Sequence, residues 1–128
     1  MIISKELLSE VLEIKIDKII NNSRRCKPNT IVYDNEELND YEVINIYELA
    51  HKCKEWASIK SYYISSCINS DNTIDPVCSK YNAWVNQFVF DGEPIEITVG
   101  CFGADTDPEA IFKACEWILK QKADNALR

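Results

Sequence analysis

The spacing of apolar and polar residues changes several times along the chain, and each change marks an element. Leu7, Leu8, Val11 and Leu12 recur at helical spacing behind Ser4, a good helix-capping residue, with Glu6 in the first turn where the helix dipole favours an acid. A short helix to Leu12 is predicted. The period then drops to two. Ile14, Ile16 and Ile19–Ile20 alternate with charge, as in a half-buried strand. Asn21 to Asn29 is polar, basic and contains Pro28, so it reads as a loop, and Thr30 to Tyr33 returns as a second strand. The acidic segment from Asp34 to Glu42 reads as a second loop.

Helical spacing resumes at Ile46, Leu49, Ala50, Cys53 and Ala57, opened by Asn45 with Glu48 three residues on, and ends near Lys60. Tyr62 to Ile68 is aromatic and β-branched and reads as a strand, followed by a loop from Asn69 to Ser79. Trp84, Asn86, Phe88 and Phe90 then alternate with Val85, Gln87 and Val89. Asp91-Gly92 supplies a turn, and Ile95, Ile97, Val99 and Cys101 alternate with Glu96, Thr98 and Gly100. This is the strongest hairpin signal in the sequence. Thr106-Asp-Pro-Glu109 has the form of a capping box with proline in the first turn. It opens a helix carrying Ile111, Ala114, Cys115 and Ile118 on one face, with a tail that frays after Gln121.

The expected order is α-β-β-α-β-β-β-α, an α+β class with a small antiparallel sheet and helices packed on one face. The 128 residues suit one domain. Within it, residues 1–44 form a helix plus hairpin extension, and residues 45–121 a helix–three-stranded sheet–helix unit.

Composition narrows the function classes. No apolar run approaches the ~18 residues of a membrane span, and the charged residues among the first apolar ones interrupt any secretory signal. No membrane partner is expected. The six cysteines, Cys26, Cys53, Cys67, Cys78, Cys101 and Cys115, read as free thiols of a reducing, cytoplasmic setting, with Cys53, Cys101 and Cys115 on apolar stripes. Net charge is −7 and uneven. Lys15, Lys18, Arg24, Arg25 and Lys27 make the start basic, whereas no Lys or Arg occurs from Tyr81 to Phe112, where Asp91, Glu93, Glu96, Asp105, Asp107 and Glu109 fall. An acidic field repels phosphate backbones, so direct nucleic-acid binding is disfavoured and a basic protein surface is favoured. The five early cations leave a local nucleic-acid contact as a weaker alternative.

Candidate chemistry is sparse. His51, the one histidine, lies two residues from Cys53, and on a helix the two point apart. A cysteine nucleophile would need another thiol to approach His51 in space; an exposed helix histidine is the plainer reading. The cysteine spacings of 27, 14, 11, 23 and 14 contain no close pair of the zinc-binding kind. Asp105, Asp107 and Glu109 lack the geometry of a calcium loop and suit a helix N-terminus. Gly100-Cys-Phe-Gly103 lacks the lysine of a phosphate loop. No catalytic group, cofactor or metal is expected. Two features suggest binding. The first is a crowd of strand aromatics, Trp84 among them, too large for one helix-covered face. The second is the acids Asp34, Glu36, Glu37, Asp40 and Glu42, together with Asp91, Glu93, Glu96 and Asp105.

The stretches INIYELAHKCKEWA and ADTDPEAIFKACEWILKQ, with the opening ISKELLSEVL, resemble small proteins of tailed bacteriophages and prophages, in particular the phage ABA sandwich domain family. The resemblance covers residues 45–121 best, and its motifs are structural: a helix cap and an amphipathic helix. It implies a phage or prophage origin and an accessory role in the bacterial host cell. Such a protein would bind and block a host protein or nucleoprotein complex such as a CRISPR effector. A homodimeric assembly module and a small thiol-dependent enzyme using Cys53 or Cys67 are the other readings.

Overall fold

The computed structural model describes residues 3–20, 29–68 and 80–126. The chain is α+β: α1 (Lys5–Leu12), β1 (Ile16–Ile20), β2 (Thr30–Asn35), β3 (Asp40–Asn45), α2 (Ile46–Ile59), β4 (Tyr63–Ile68), β5 (Tyr81–Asp91), β6 (Glu93–Ala104) and α3 (Asp107–Ala126). The strands divide into two antiparallel sheets, β1-β2-β3 and β4-β5-β6, each with its middle strand in the centre. Among the described residues, no helix is long and apolar enough to cross a membrane. Of the predicted loops, residues 21–28 and 69–79 lie outside the described residues, and Asn29 stands just before β2 with a left-handed φ of 61°.

The helices begin where side chains can satisfy their free N–H groups. Ser4 Oγ accepts from Leu7 N at 3.1 Å, and Asn45 Oδ1 accepts from Tyr47 N at 2.8 Å and Glu48 N at 3.4 Å. Thr106 Oγ1 accepts from Glu109 N at 3.4 Å. Glu116 Oε1 ties the chain's two ends together, accepting from the Ser4 hydroxyl at 2.7 Å and its amide at 3.1 Å. α3 runs to Ala126, a turn beyond the fraying expected after Gln121.

One core joins the three helices and both sheets. Leu7 and Leu8 of α1, Leu49, Cys53 and Ala57 of α2, and Ile111, Phe112, Ala114, Cys115 and Ile118 of α3 are sealed from solvent. α3 packs on all three strands of the second sheet; α2 lies against α3 and reaches both sheets through β3 and β4. Ile16, Tyr33 and Ile44 bring the first sheet into the same cluster.

The segment Asp34–Glu42 is not a loop. Asp34 and Asn35 end β2, residues 36–39 turn, and Asp40 to Glu42 begin β3, with Asp34 opposite Tyr41 and Asn35 opposite Asp40. Polar composition conceals this strand because its polar groups pair locally. Buried Asn35 accepts from Glu37 N at 3.0 Å and Leu38 N at 3.4 Å, closing an Asx turn, and Asn39 takes a left-handed φ of 52°. Glu42 Oε2 accepts from the Tyr33 hydroxyl at 2.8 Å and from Asn35 Nδ2 at 3.2 Å. Burial, and then the Glu42 carboxylate beside its hydroxyl, push the Tyr33 phenol well above the ordinary tyrosine range.

A raised phenol pKa means that the folded state holds the proton more tightly than the unfolded chain. The Tyr33 contribution is therefore complete below the ordinary tyrosine value of about 10 and is lost as pH rises above it. Denaturant titrations above and below that pH should show Tyr33→Phe less stable by about 1 kcal/mol at neutral pH, for its lost hydrogen bond, and less sensitive to alkali than the parent protein. An unchanged alkaline slope would contradict this.

Candidate binding surface

β5 and β6 form the longest hairpin, turning at Gly92, whose φ of +87° suits glycine and leaves open space at its Cβ position. The strands pair from Asp91–Glu93 to Tyr81–Ala104, but the register shifts between Val85 and Asn86, which face Gly100 and Thr98 respectively. Val99 is the extra residue of a β-bulge, and the bulge inverts the side-chain alternation of β6. Before it, Ile95 and Ile97 share a face with Val89 and Gln87. After it, that face passes to Gly100, Phe102 and Ala104, opposite Val85, Ala83 and Tyr81. Cys101, placed by its alternation on the apolar stripe, thus moves to the other face, opposite Trp84, and is exposed.

The bulge also separates two environments. On the α3 side, Ala83, Val85 and Ala104 are buried, with Tyr81, Val99 and Phe102 packed partly against the core. Toward the turn the cover ends, and side chains are exposed on both faces: Val89 at 42%, Ile95 at 57% and Ile97 on one, Phe88 and Phe90 at 79% on the other. Phe88 stacks edge-on against Tyr63 at 5.3 Å. Glu96, opposite Phe88, accepts from Asn86 Nδ2 at 2.9 Å, and Asn86 Oδ1 accepts from Thr98 Oγ1 at 2.8 Å. These bonds fix one carboxylate beside the aromatic pair. Glu93 and Glu96 are exposed, and the whole hairpin contains three acids and no Lys or Arg. An apolar surface with this charge can take up a basic, partly apolar protein surface.

The other predicted residues fall elsewhere. Trp84 is half-buried on the central strand, between Ser65 and Cys101. Glu36 and Glu37 are exposed in the first sheet's turn, and the Asp40 carboxylate accepts from Tyr41 N at 2.7 Å. Asp34 is half-buried, and Glu42 is committed to Tyr33 and Asn35. The acids of 34–42 therefore belong to a different sheet from Glu93 and Glu96, and part of their polarity serves the fold. Asp105 is exposed just before α3, and Asp107 and Glu109 lie in its first turn.

A concavity, which the periodicity gives no reason to expect, lies between β6 and α3. Phe102 and Trp117, 6.0 Å apart, line a cleft of about 430 Å³ rimmed by Glu109, Lys113, Glu116 and Lys120. Lys113 Nζ donates to the Gly103 carbonyl at 2.8 Å, and Glu116 is held by Ser4, so much of the rim's charge braces the fold. Gly100 lies beneath the Phe102 ring: a Cβ there would sit 2.9 Å from a ring carbon.

His51 pairs with Glu55 at 2.8 Å on the solvent side of α2, while Cys53 points into the core, where Cys115 Sγ donates to the Cys53 carbonyl at 3.6 Å. Hydrogen bonding to Cys53 and burial push the Cys115 thiol far up, away from the reactive thiolate. Cys67 and Cys101 are exposed. Among the described residues, no three His, Cys, Asp or Glu side chains gather as a metal site would require. Arg24, Arg25, Lys27, Cys26 and Cys78 lie outside the described residues.

Two outcomes are expected. Native alkylation with peptide mapping should label Cys67 and Cys101 and spare Cys53 and Cys115 until denaturant is added; rapid native labelling of Cys115 would refute the packing of α2 on α3. Gly100→Ala should displace Phe102 from its place beside Trp117, changing the near-UV spectrum and costing about 1–3 kcal/mol by overpacking. An unaltered spectrum and stability would show that the close approach does not constrain the ring.

No family model, no curated protein and no solved structure matches this chain.

Proposed function

We propose that the chain is a non-enzymatic binding protein that engages a basic protein surface through the turn-proximal half of the β5–β6 hairpin. The observation that carries this reading is the exposure of Phe88, Val89, Phe90, Ile95 and Ile97 together on an element that lacks any cation. Large apolar side chains exposed in one contiguous stretch are costly for a monomer to keep in water, and they are the usual anchors of interfaces. The phage resemblance supplies the setting: an accessory protein acting in a bacterial host cell, with a host defence complex such as a CRISPR effector as its target. A groove built to hold nucleic acid is basic, and an acidic hairpin with an apolar tip complements it.

The homodimer reading draws on the same exposed residues. Charge opposes it at this surface, because two hairpins brought together would place acids against acids with no compensating cation.

Site-specific photo-cross-linking tests the proposal. A benzophenone side chain at Phe90, introduced in bacterial cells, should give a discrete heterologous adduct that weakens as salt is raised before irradiation. The same group at Ile59, exposed on α2 at 82%, should not. A Phe90 adduct with the mass of two copies would replace this reading with the homodimer. Identical adducts from both positions, or none from Phe90, would overturn it.

A further inference from the structure

We propose that the open edge of β6 takes up an extended segment of the partner protein, one in which Lys or Arg alternates with β-branched apolar residues, as a fourth strand of the second sheet. The inference rests on the reading of the hairpin as the binding surface and specifies how that surface recognises its partner. In the order β4-β5-β6, β6 is an edge strand, and among the described residues nothing pairs with its far side. Its twelve residues are twice the six of β4 at the opposite edge. A strand edge of this kind presents a row of backbone donors and acceptors that another strand can satisfy.

The side chains along this edge determine which strand fits. Ile95 and Ile97 stand on one face and Glu96 on the other, all exposed. A neighbouring strand sets its own alternate residues beside these two rows. Apolar residues would extend the Ile95–Ile97 row, and cations would meet Glu96, whose carboxylate Asn86 already holds in place. The same features exclude a second copy. Two β6 edges side by side would gather Glu93 and Glu96 from each copy with no cation between them. The acids that keep β6 from pairing with itself are thus the groups a cationic strand would neutralise.

The probe is an end-blocked, fluorescent peptide of about nine alternating Lys and Val residues, which at about 3.3 Å per residue spans the exposed part of the edge. It is measured by polarisation at low salt against the full chain. Two further versions carry N-methyl groups on the Lys amides alone or on the Val amides alone. In a strand paired along one edge only one of these two amide sets faces the protein, so one methylated version should weaken at least about tenfold and the other should bind like the parent. Glu96→Lys should weaken the parent peptide similarly, and a Glu–Val peptide should not bind. Equal binding by all three Lys–Val peptides would overturn strand pairing while leaving the hairpin as a binding surface. Absence of binding by the parent peptide would also overturn it, and the Phe90 adduct, read independently, would then show whether the parent reading survives.

Discussion

The structure depends on the burial of one helix face. Ile111, Phe112, Ala114, Cys115 and Ile118 of α3 lie against the second sheet and α2, the largest buried layer of the molecule's core. α2 carries the core across to the first sheet, and α1 is pinned to α3 through Ser4 and Glu116. Each of the fully buried large side chains is worth about 1.5–3 kcal/mol of transfer free energy, so no surface interaction on the molecule competes with this layer. Buried polar groups are few: Asn35 in the first sheet is satisfied by its turn, whereas Trp56 Nε1 on α2 is buried without a hydrogen-bond partner.

The reach of that layer decides what is left for function. Ala83, Val85, Phe102 and Ala104 meet α3, and at the Val99 bulge the inward face of β6 changes parity. Beyond the bulge the hairpin continues for several residues on each strand without cover. A bulge at the boundary twists and bends the strand and so separates a half that belongs to the core from a half that does not. The free half is apolar on both faces and carries only negative charge. The two faces differ in kind: an aromatic pair with a positioned carboxylate on one, aliphatic side chains on the other.

Much of this was legible in the sequence, because helices with caps and strands with strict alternation leave strong local signals. Ser4, Asn45 and Thr106 cap helices as their positions suggest, and Trp84, Phe88 and Phe90 do share a face. The sequence misled where pairing, rather than propensity, decided the outcome. Asp34 to Glu42 has the composition of a loop, yet Asn35 and Glu42 turn that polarity inward and make a hairpin of it. The bulge left no trace in the alternation of Ile95, Ile97, Val99 and Cys101, and so Cys101 was assigned to the wrong face; Gly100, under the Phe102 ring, was its one local sign. The division of the strands into two sheets is equally non-local, since it lies in which strands pair, with α2 packed against both sheets.

The claim that cover ends at the bulge is tested most directly by hydrogen exchange along β6. Local protection follows the packing over a hydrogen-bonded segment as well as the bonds themselves. In the free protein, those amides of residues 101–104 that bond to β5, beside α3, should be strongly protected. Those of residues 95–97, in the same strand and the same ladder, should exchange orders of magnitude faster. Equal protection on both sides of Val99 would show that the hairpin is one rigid, covered unit and would contradict the account.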